Sequence, residues 1–299
     1  MGGRRRMDGS VEIEWPAPVN VQAVMSTREG GASQAPFDSF NLGDHVGDDA
    51  QAVAANRARL AQNIAAKPVF LNQLHGWDAV ALDVLTPQGT QADACFTTQP
   101  QLACTIMVAD CLPVLFCNRQ GTVVGAAHAG WRGLLGQTTP EGPQGVLEQI
   151  YSSLANIPRV LCGKFASKTI ASEWLVWLGP CIGPAQFEVG ADVQQAFVSS
   201  NPASAVHFQA QANALSKESG KGKWLADLQG LARQRLAALG FTEIYGNDGS
   251  SPWCTVSNPS RFFSHRRDHA RLGGSGRMVA CIWLDSCISK GADLEGRGL

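Results

Sequence analysis

Short, almost uninterrupted apolar runs recur along the chain between polar breaks. VFLNQL (69–74), AVALDVL (79–85), LACTIMVAD (102–110), LPVLFCN (112–118), TVVGAAHAG (122–130), EWLVWLGP (173–180), TEIYGND (242–248) and GRMVACIWLD (276–285) have the length and β-rich content of strands. VEIEWPAP (11–18) alternates like another strand. The stretch from Leu102 to Gly130 holds three of these runs in succession and reads as three buried strands.

Helical spacing takes over elsewhere. ANRARLAQNI (55–64) continues a helix that Asp48 or Asp49 could cap, with Val53, Leu60 and Ile64 near one face. GVLEQIYSSL (145–154) resumes helical periodicity after the Gly/Pro-rich break TTPEGPQG, and FEVGADVQQAFVSS (187–200) runs into a helix. KWLADLQGLARQRLAALG (223–240) has the clearest period, with Leu225, Leu228, Leu231, Leu236 and Leu239 as its stripe and Gly240 as its stop. Two polar stretches read as loops. One is the long Gly-, Ser- and Asp-rich segment 26–49, of a length commonly functional, and the other is the solvated basic loop SKESGKGK (216–223).

Strands and helices interleave with no repeat and no linker. The pattern predicts one α+β (mixed α/β) domain over residues 11–288, with a loose extension at 1–10 and a tail at 289–299. Hairpin-like and crossover connections are both present, so the sheet should be mixed. Of 299 residues 44% are hydrophobic and 16% charged, a globular balance that excludes disorder. The net charge of −1 supplies no field to draw nucleic acid or an anionic membrane, which leaves a small-molecule partner. No run reaches the roughly 18 apolar residues of a spanning helix. Arg4, Arg5 and Arg6 precede no apolar stretch, so no secretory signal is read and a cytoplasmic location is expected. The nine cysteines are odd in number, and Cys104, Cys111, Cys117 and Cys281 lie in strand-like runs, as buried reduced thiols do.

Candidate chemistry concentrates at strand ends. His75 and His128 each close an apolar run beside a glycine, and Cys111 follows Asp110 at the break between two runs. Two imidazoles and a thiolate suit Zn²⁺ and leave a fourth tetrahedral position open. They are too far apart in sequence for a local finger, so only the tertiary fold could unite them. The same residues also permit a Cys–His nucleophile, or simply a buried thiol and two turn histidines. Arg28, Arg132, Arg266 and Arg267 stand in loops beside Gly or Ser, where guanidinium groups bind phosphate or pair with acids such as Asp44, Asp110 and Asp268. Trp77 and Trp131 could stack on a planar base. There is no GxxxxGK[ST] loop, GxSxG elbow, HExxH or helix-opening GxGxxG, and no H-x-E with P-C-x-x-C pairing of the usual zinc base deaminases. Six histidines with no His-x-His are too few for several coppers.

The motifs STREGG, NLGDHVGDD, NQLHG, ADACFT, ADCLPVLF, GAAHAGWRGL, LGPCIGPAQFEVG, DLQGLARQRLAALG, FFSHRRD and GRMVACIWL occur in order from Ser26 to Leu284. In them the chain resembles the bacterial laccase-domain proteins, variously named polyphenol oxidoreductase laccase, purine nucleoside phosphorylase and peptidoglycan editing factor. The resemblance implies a layered sandwich of mixed sheets flanked by helices. It implies zinc on His75, Cys111 and His128, with copper as the alternative of a polyphenol oxidase. It further implies phosphorolysis of adenosine, inosine or S-methyl-5′-thioadenosine, together with deamination of adenosine. A cell-wall editing hydrolase would use the same Cys and His. Within that chemistry Asp110 is the expected proton carrier, Arg28, Arg132 or Arg266 the phosphate ligands, and Asn41 or His45 the ribose contacts. Segments near 137–172 and 250–253 depart from the family pattern, and as insertions near a rim they would change access or assembly.

Overall fold

The structure, a computed structural model, describes residues 7, 9–140, 142–157, 159–161, 164–166, 170–211 and 222–286, with backbone alone for 159–161 and 164–166. Most of the 1–10 extension, the 289–299 tail, the SKESGKGK loop up to residue 221 and part of the 154–172 segment lie outside the described residues. In chain order, β1 (Val21–Met25) precedes α1 (Ala50–Ile64). Then come β2 (Lys67–Asn72), β3 (Ala79–Ala81), β4 (Thr90–Gln91), β5 (Ala94–Thr97), β6 (Leu102–Val108), β7 (Leu112–Asn118) and β8 (Val124–Ala129). Next are α2 (Trp131–Leu135), β9 (Gln137–Thr139), β10 (Gly142–Gln144), α3 (Val146–Ala155), β11 (Arg159–Leu161), β12 (Lys164–Ala166) and β13 (Trp174–Leu178). The chain closes with β14 (Glu188–Gly190), α4 (Ala191–Ser200), β15 (Phe208–Ala210), β16 (Lys223–Ala226), α5 (Leu228–Ala238), β17 (Glu243–Gly246), α6 (His265–Leu272) and β18 (Met278–Leu284).

Two mixed sheets form the centre, a five-stranded one in the order β1-β18-β6-β2-β4 and a six-stranded one in the order β17-β13-β7-β8-β5-β3. Val69, Leu71, Ile106 and Val108 of the first meet Leu115, Cys117, Val124 and Ala126 of the second in one buried cluster. The opposite face of the six-stranded sheet packs on Leu147 and Ile150 of α3, Phe197 of α4 and Leu231 and Leu236 of α5. Leu60 and Ile64 of α1 cover the outer face of the five-stranded sheet against Phe70 and Trp283. The result is a layered α+β sandwich with the sheets inside. Strands buried on both faces need apolar side chains at every position, which explains the unbroken runs of β6, β7 and β18.

The local signals act as their chemistry requires, with some corrections. Asp49 caps α1, its side chain accepting from the Ala52 N–H at 2.8 Å. VEIEWPAP does not extend as a strand. Pro16 and Pro18 lack the N–H a ladder needs, and Val11 alone bridges to Met25 while Trp15 packs into the inter-sheet core. The first four residues of KWLADLQGLARQRLAALG form β16, which pairs with both β14 and β15, and the helix begins only after Asp227 caps it. Sheet pairing on two sides there outweighs the helical period. AVALDVL yields only the three residues of β3 before a turn at Asp83. The break after Gly136 folds as the antiparallel hairpin of β9 and β10, and Ser251–Trp253 forms a single 3₁₀ turn. No helix among the described residues is long and apolar enough to cross a membrane.

The chain crosses three times from the five-stranded to the six-stranded sheet, between β2 and β3, β4 and β5, and β6 and β7. Strands β2, β4 and β6 run parallel to one another, so all three crossings occur at one end of the sandwich. Strand β8 runs antiparallel to both β5 and β7, which places its last residues at that same end.

Candidate metal centre

Each crossing delivers one functional group. His75 lies in the first, Asp93 in the second and Cys111 in the third, while His128 is the penultimate residue of β8. The ligand atoms of His75, Cys111 and His128 all fall within 4.8 Å of one another. The two imidazoles meet edge to face with ring centres 4.8 Å apart. His75 has a left-handed backbone, φ 60°, as does Asp110, φ 90°, beside Cys111. Both conformations turn the chain sharply between the sheets.

Asp93 holds this turn together, and sequence reasoning missed it. It is 1% exposed. Its Oδ1 accepts from the His128 Nδ1–H at 2.8 Å and from the His75 N–H at 3.0 Å. Its Oδ2 accepts from the Gly76 N–H at 2.7 Å and the Leu74 N–H at 3.0 Å, and its carbonyl accepts from the His128 N–H at 2.7 Å. One carboxylate thus fixes the ring of one ligand and the backbone of another. Burial pushes the Asp93 carboxyl up, but the hydrogen bond and charge of His128 and the backbone N–H groups prevail and hold it below the usual range.

His128 spends Nδ1 on Asp93, leaving Nε2 for Cys111 or a metal. Burial raises the Cys111 thiol, yet the charge and hydrogen bond of His128, joined by His75, outweigh it and bring it down to about 6. His128 in turn rises to about 9, because the Cys111 thiolate and the bond to Asp93 overcome burial. The arrangement favours thiolate, the form a divalent ion binds. Space has also been kept free. A Cβ at Gly130 would stand 3.0 Å from Cys111 Sγ and 3.3 Å from His75 Cδ2, so any side chain there would crowd the donors. At Gly133 a Cβ would meet the Gly76 carbonyl at 2.4 Å, which forces glycine where α2 packs on the His75 turn. Two imidazoles and one thiolate fit a tetrahedral Zn²⁺ with one open position, and no fourth His, Cys, Asp or Glu joins the group among the described residues. The other described cysteines are free thiols as well.

The three donors open into a cavity of about 390 Å³. His128 is buried, Cys111 half-buried and His75 exposed at its mouth. His45, Asp110, Arg132 and Arg266 line the same cavity, as do Gln73, Trp131, Phe187, His265 and Arg277. Trp77 packs against the apolar core instead. Arg132 lies over the Trp131 ring at 4.4 Å and Arg266 over Phe187 at 5.8 Å. Gln73 holds the lower wall by pairing with the Met107 N–H and carbonyl at 2.7 and 2.8 Å, as one more strand residue would.

Two expected substrate contacts stand apart from the cavity. Arg28 pairs with Asp38 at 3.2 Å and donates to the carbonyls of Asp38 and Pro259. Asn41 is fully buried and spends its amide on Gly43, Asp48 and Arg277. Asp110 lines the cavity with both carboxylate oxygens engaged, Oδ1 by the Thr255 hydroxyl at 2.5 Å and Oδ2 by the Arg266 N–H in the first turn of α6 at 2.7 Å. Arg132, Arg266 and Arg267 stand in helices α2 and α6, not in loops, because Gly130 and Ser264 act as helix N-caps there. Arg267 is tied to Asp268 and to the carbonyls of Thr255, Val256 and Phe262.

The multi-copper polyphenol oxidoreductase laccase family matches the chain over residues 22–285. A protein of Pseudomonas aeruginosa named purine nucleoside phosphorylase is 44% identical over 278 residues, covering 93% of this chain and 99% of its own. The purine nucleoside phosphorylase YfiH of Escherichia coli is 44% identical over 273 residues, covering 91% and 97%. Among solved structures, a DUF152-family protein of Neisseria meningitidis superposes with a TM-score of 0.77 at 39% identity, covering 93% of this chain and 100% of that one. YlmD of Geobacillus stearothermophilus superposes with a TM-score of 0.73 at 28% identity, covering 95% and 98%. The chain belongs to this laccase-domain family, whose fold its sandwich shares.

Proposed function

We propose that the chain is a zinc-dependent purine nucleoside phosphorylase that acts on adenosine, inosine and S-methyl-5′-thioadenosine and also deaminates adenosine, with copper as the alternative metal. The observation that carries this reading is the meeting of two imidazoles and a thiol in a cavity also lined by aromatic and basic side chains. The relatives that bear the phosphorylase name support it. The cavity volume falls in the range that small-molecule sites occupy. His75, Cys111 and His128 would hold the ion, which when bound supplies Lewis-acid polarisation of the reacting group.

The chain's own residues do the rest. Asp93 keeps the His128 ring aimed at the centre. Trp131 and Phe187 give the cavity apolar surface for the purine, and Arg132 and Arg266, which lie over those rings, offer charge to phosphate. His45 lines the same cavity from the NLGDH turn. A phosphate oxygen forms the new bond to C1′ as the bond from C1′ to the base nitrogen breaks, and that nitrogen takes a proton. That proton would come from the attacking phosphate or from water, and Asp110 at the cavity wall would take it up on Oδ1 and pass it on, the Thr255 hydroxyl yielding its bond meanwhile. The reaction requires no nucleic acid, membrane or protein partner, and it suits a cytoplasmic enzyme.

A second reading has one observation in its favour. Asp93, His128 and Cys111 stand in the order acid, base and thiol, the arrangement of a cysteine hydrolase that could edit a peptidoglycan precursor. Polyphenol oxidation through several coppers lacks imidazoles, since the chain has six histidines and the centre uses two.

Purified protein of known metal content, incubated with adenosine with and without phosphate, separates these readings by chromatography of the products. Adenine formed only with phosphate, inosine formed without it, and loss of both on chelation with return on adding zinc are the expected results. Cleavage of a muropeptide by the chelated protein, with no release of base by the zinc form, would replace this function with the hydrolase.

A further inference from the structure

Among the side chains that face the cavity without joining the metal donors are His45, His265 and Arg277. Arg277 is the centre of the group. Its Nη1 donates to the carbonyls of Ser275 and Gly276 at 2.8 and 3.1 Å, which fixes the direction of the guanidinium. Among the described residues no carboxylate pairs with it, whereas Arg57, Arg235 and Arg267 each have an acidic partner. Burial holds Arg277 below its ordinary value, while the charges of Cys111 and Asp110 act on it the other way. Asp110 is engaged by Thr255 and the Arg266 N–H and stands beyond ion-pair distance, so the half-buried guanidinium is placed to take an anion from solution.

The surrounding backbone is built to present this group. The Asn41 Oδ1 accepts from the Arg277 N–H at 2.8 Å and from the Gly43 N–H at 2.9 Å, so one buried amide ties the NLGDH turn to the entrance of β18. A Cβ at Gly43 would stand 2.7 Å from Arg277 Cγ. The turn therefore lies flat on the arginine stem, and two residues later His45 reaches the cavity. His265 reaches the cavity from the start of α6, stacked on His269 with ring centres 4.6 Å apart. Burial first, and then the charge of Arg277, hold both His45 and His265 below their ordinary value, so one guanidinium acts on both rings. The single carboxylate among the described lining residues, Asp110, is already held by Thr255 and by the Arg266 N–H.

We propose that Arg277, His45 and His265 form the oxyanion pocket that binds inorganic phosphate for attack on the nucleoside, with Arg132 and Arg266 drawing it in at the cavity mouth. This rests on the phosphorolysis reading and assigns its second substrate to named residues.

The test uses full-length, zinc-loaded protein and inorganic phosphate, with the variants Arg277→Gln, His265→Gln and His45→Gln. In inosine phosphorolysis, Arg277→Gln should raise the phosphate KM roughly 30-fold and change the nucleoside KM by less than about 2-fold. Each histidine variant should raise the phosphate KM by roughly 3- to 10-fold. Both histidines are exposed, so their replacement leaves the fold intact even if Arg277→Gln does not fold. In parallel, phosphorus NMR line broadening is followed as phosphate is titrated, a readout that needs no turnover. Broadening by the wild type that is lost in Arg277→Gln, or in the double histidine variant, supports the pocket even if no base is ever released. In that case phosphorolysis falls and the anion site stands. Unchanged phosphate KM and unchanged broadening in all variants would overturn the pocket while leaving the phosphorylase reading intact.

Discussion

The two walls of the cavity are built by opposite means. The metal-donor wall comes from the sandwich, where three strand crossings and the end of β8 set His75, Asp93, Cys111 and His128 against one another. The basic wall comes from two loops and a helix start, with His45 on the turn after Asn41, Arg277 just before β18 and His265 at the start of α6. Crossings anchored at the ends of buried strands and clamped by Asp93 suit a centre whose donors must stay within a few tenths of an ångström of coordination distance. Loops suit a substrate that must enter and leave. If this division is correct, damage to the first wall should remove the metal, and damage to the second should remove phosphate binding while the metal stays.

The largest effect is expected from Cys111→Ala. Losing one of three protein donors should weaken metal binding by on the order of 10³-fold, and nucleoside turnover should vanish with it. Elemental analysis after dialysis against a mild chelator, beside an activity assay, measures both. Full metal retention in the variant would show that the thiol is not a donor and would merge the two walls into one substrate site.

Asp93→Asn comes next. The amide keeps the shape but presents one N–H₂ to a ring of donors, and it no longer carries the charge that orients His128. Metal affinity should fall roughly 10- to 100-fold. A cobalt-substituted sample provides a spectroscopic check, since its thiolate band should shift if the His128 ring turns. An unchanged spectrum and affinity would reduce Asp93 to a backbone clamp for Leu74, His75 and Gly76.

The walls also differ in how far they could be read from the chain. Cys and His are the residue types that bind Zn²⁺, and unbroken apolar runs place them at strand ends, so His75, Cys111 and His128 could be singled out before their neighbours were known. Asp93 stands between the apolar runs, just ahead of β5, and its residue type gave it no role. Its one sequence signal is an acid flanked by residues that become buried, since a carboxylate there must find several donors. Arg277 resembled the hydrophilic edge of a strand. Asn41 looked like a loop residue free to touch ribose, because its partner Arg277 lies 236 positions away and no local pattern reports that bond. β16 escaped for the same reason, since β14 and β15 recruit it from either side. Periodicity reports burial, and it is silent on which distant donor an acceptor will meet.

Asn41→Ala sharpens the comparison from the loop side. It removes a fully buried amide with partners on Gly43, Asp48 and Arg277, and should cost about 2–4 kcal/mol of stability. At temperatures where the variant remains folded, the phosphate KM should still rise roughly 5-fold, because Arg277 and His45 lose their common anchor. Metal content should be unchanged. A thermal melt, a phosphate KM and an elemental analysis on one preparation give all three, and loss of metal in this variant would show that the walls are not independent.

The smallest effect belongs to Arg28→Ala. Arg28 sits in the same long N-terminal loop as His45, and by residue type alone it was as good a phosphate ligand as Arg132 or Arg266. Its guanidinium instead faces the Asp38 carboxylate and the carbonyls of Asp38 and Pro259, and lies 4.7 Å over the Phe263 ring. Those contacts pin the loop to itself through Asp38 and to the 259–263 segment, outside the cavity, with a side chain only 14% exposed. Removing them should cost about 1–3 kcal/mol in a denaturant titration. The phosphate KM and the turnover number should both stay within about 2-fold of wild type. A 10-fold rise in the phosphate KM without loss of stability would mean that the loop carries Arg28 into the site when phosphate binds, and the basic wall would then extend well beyond Arg277 and its two histidines.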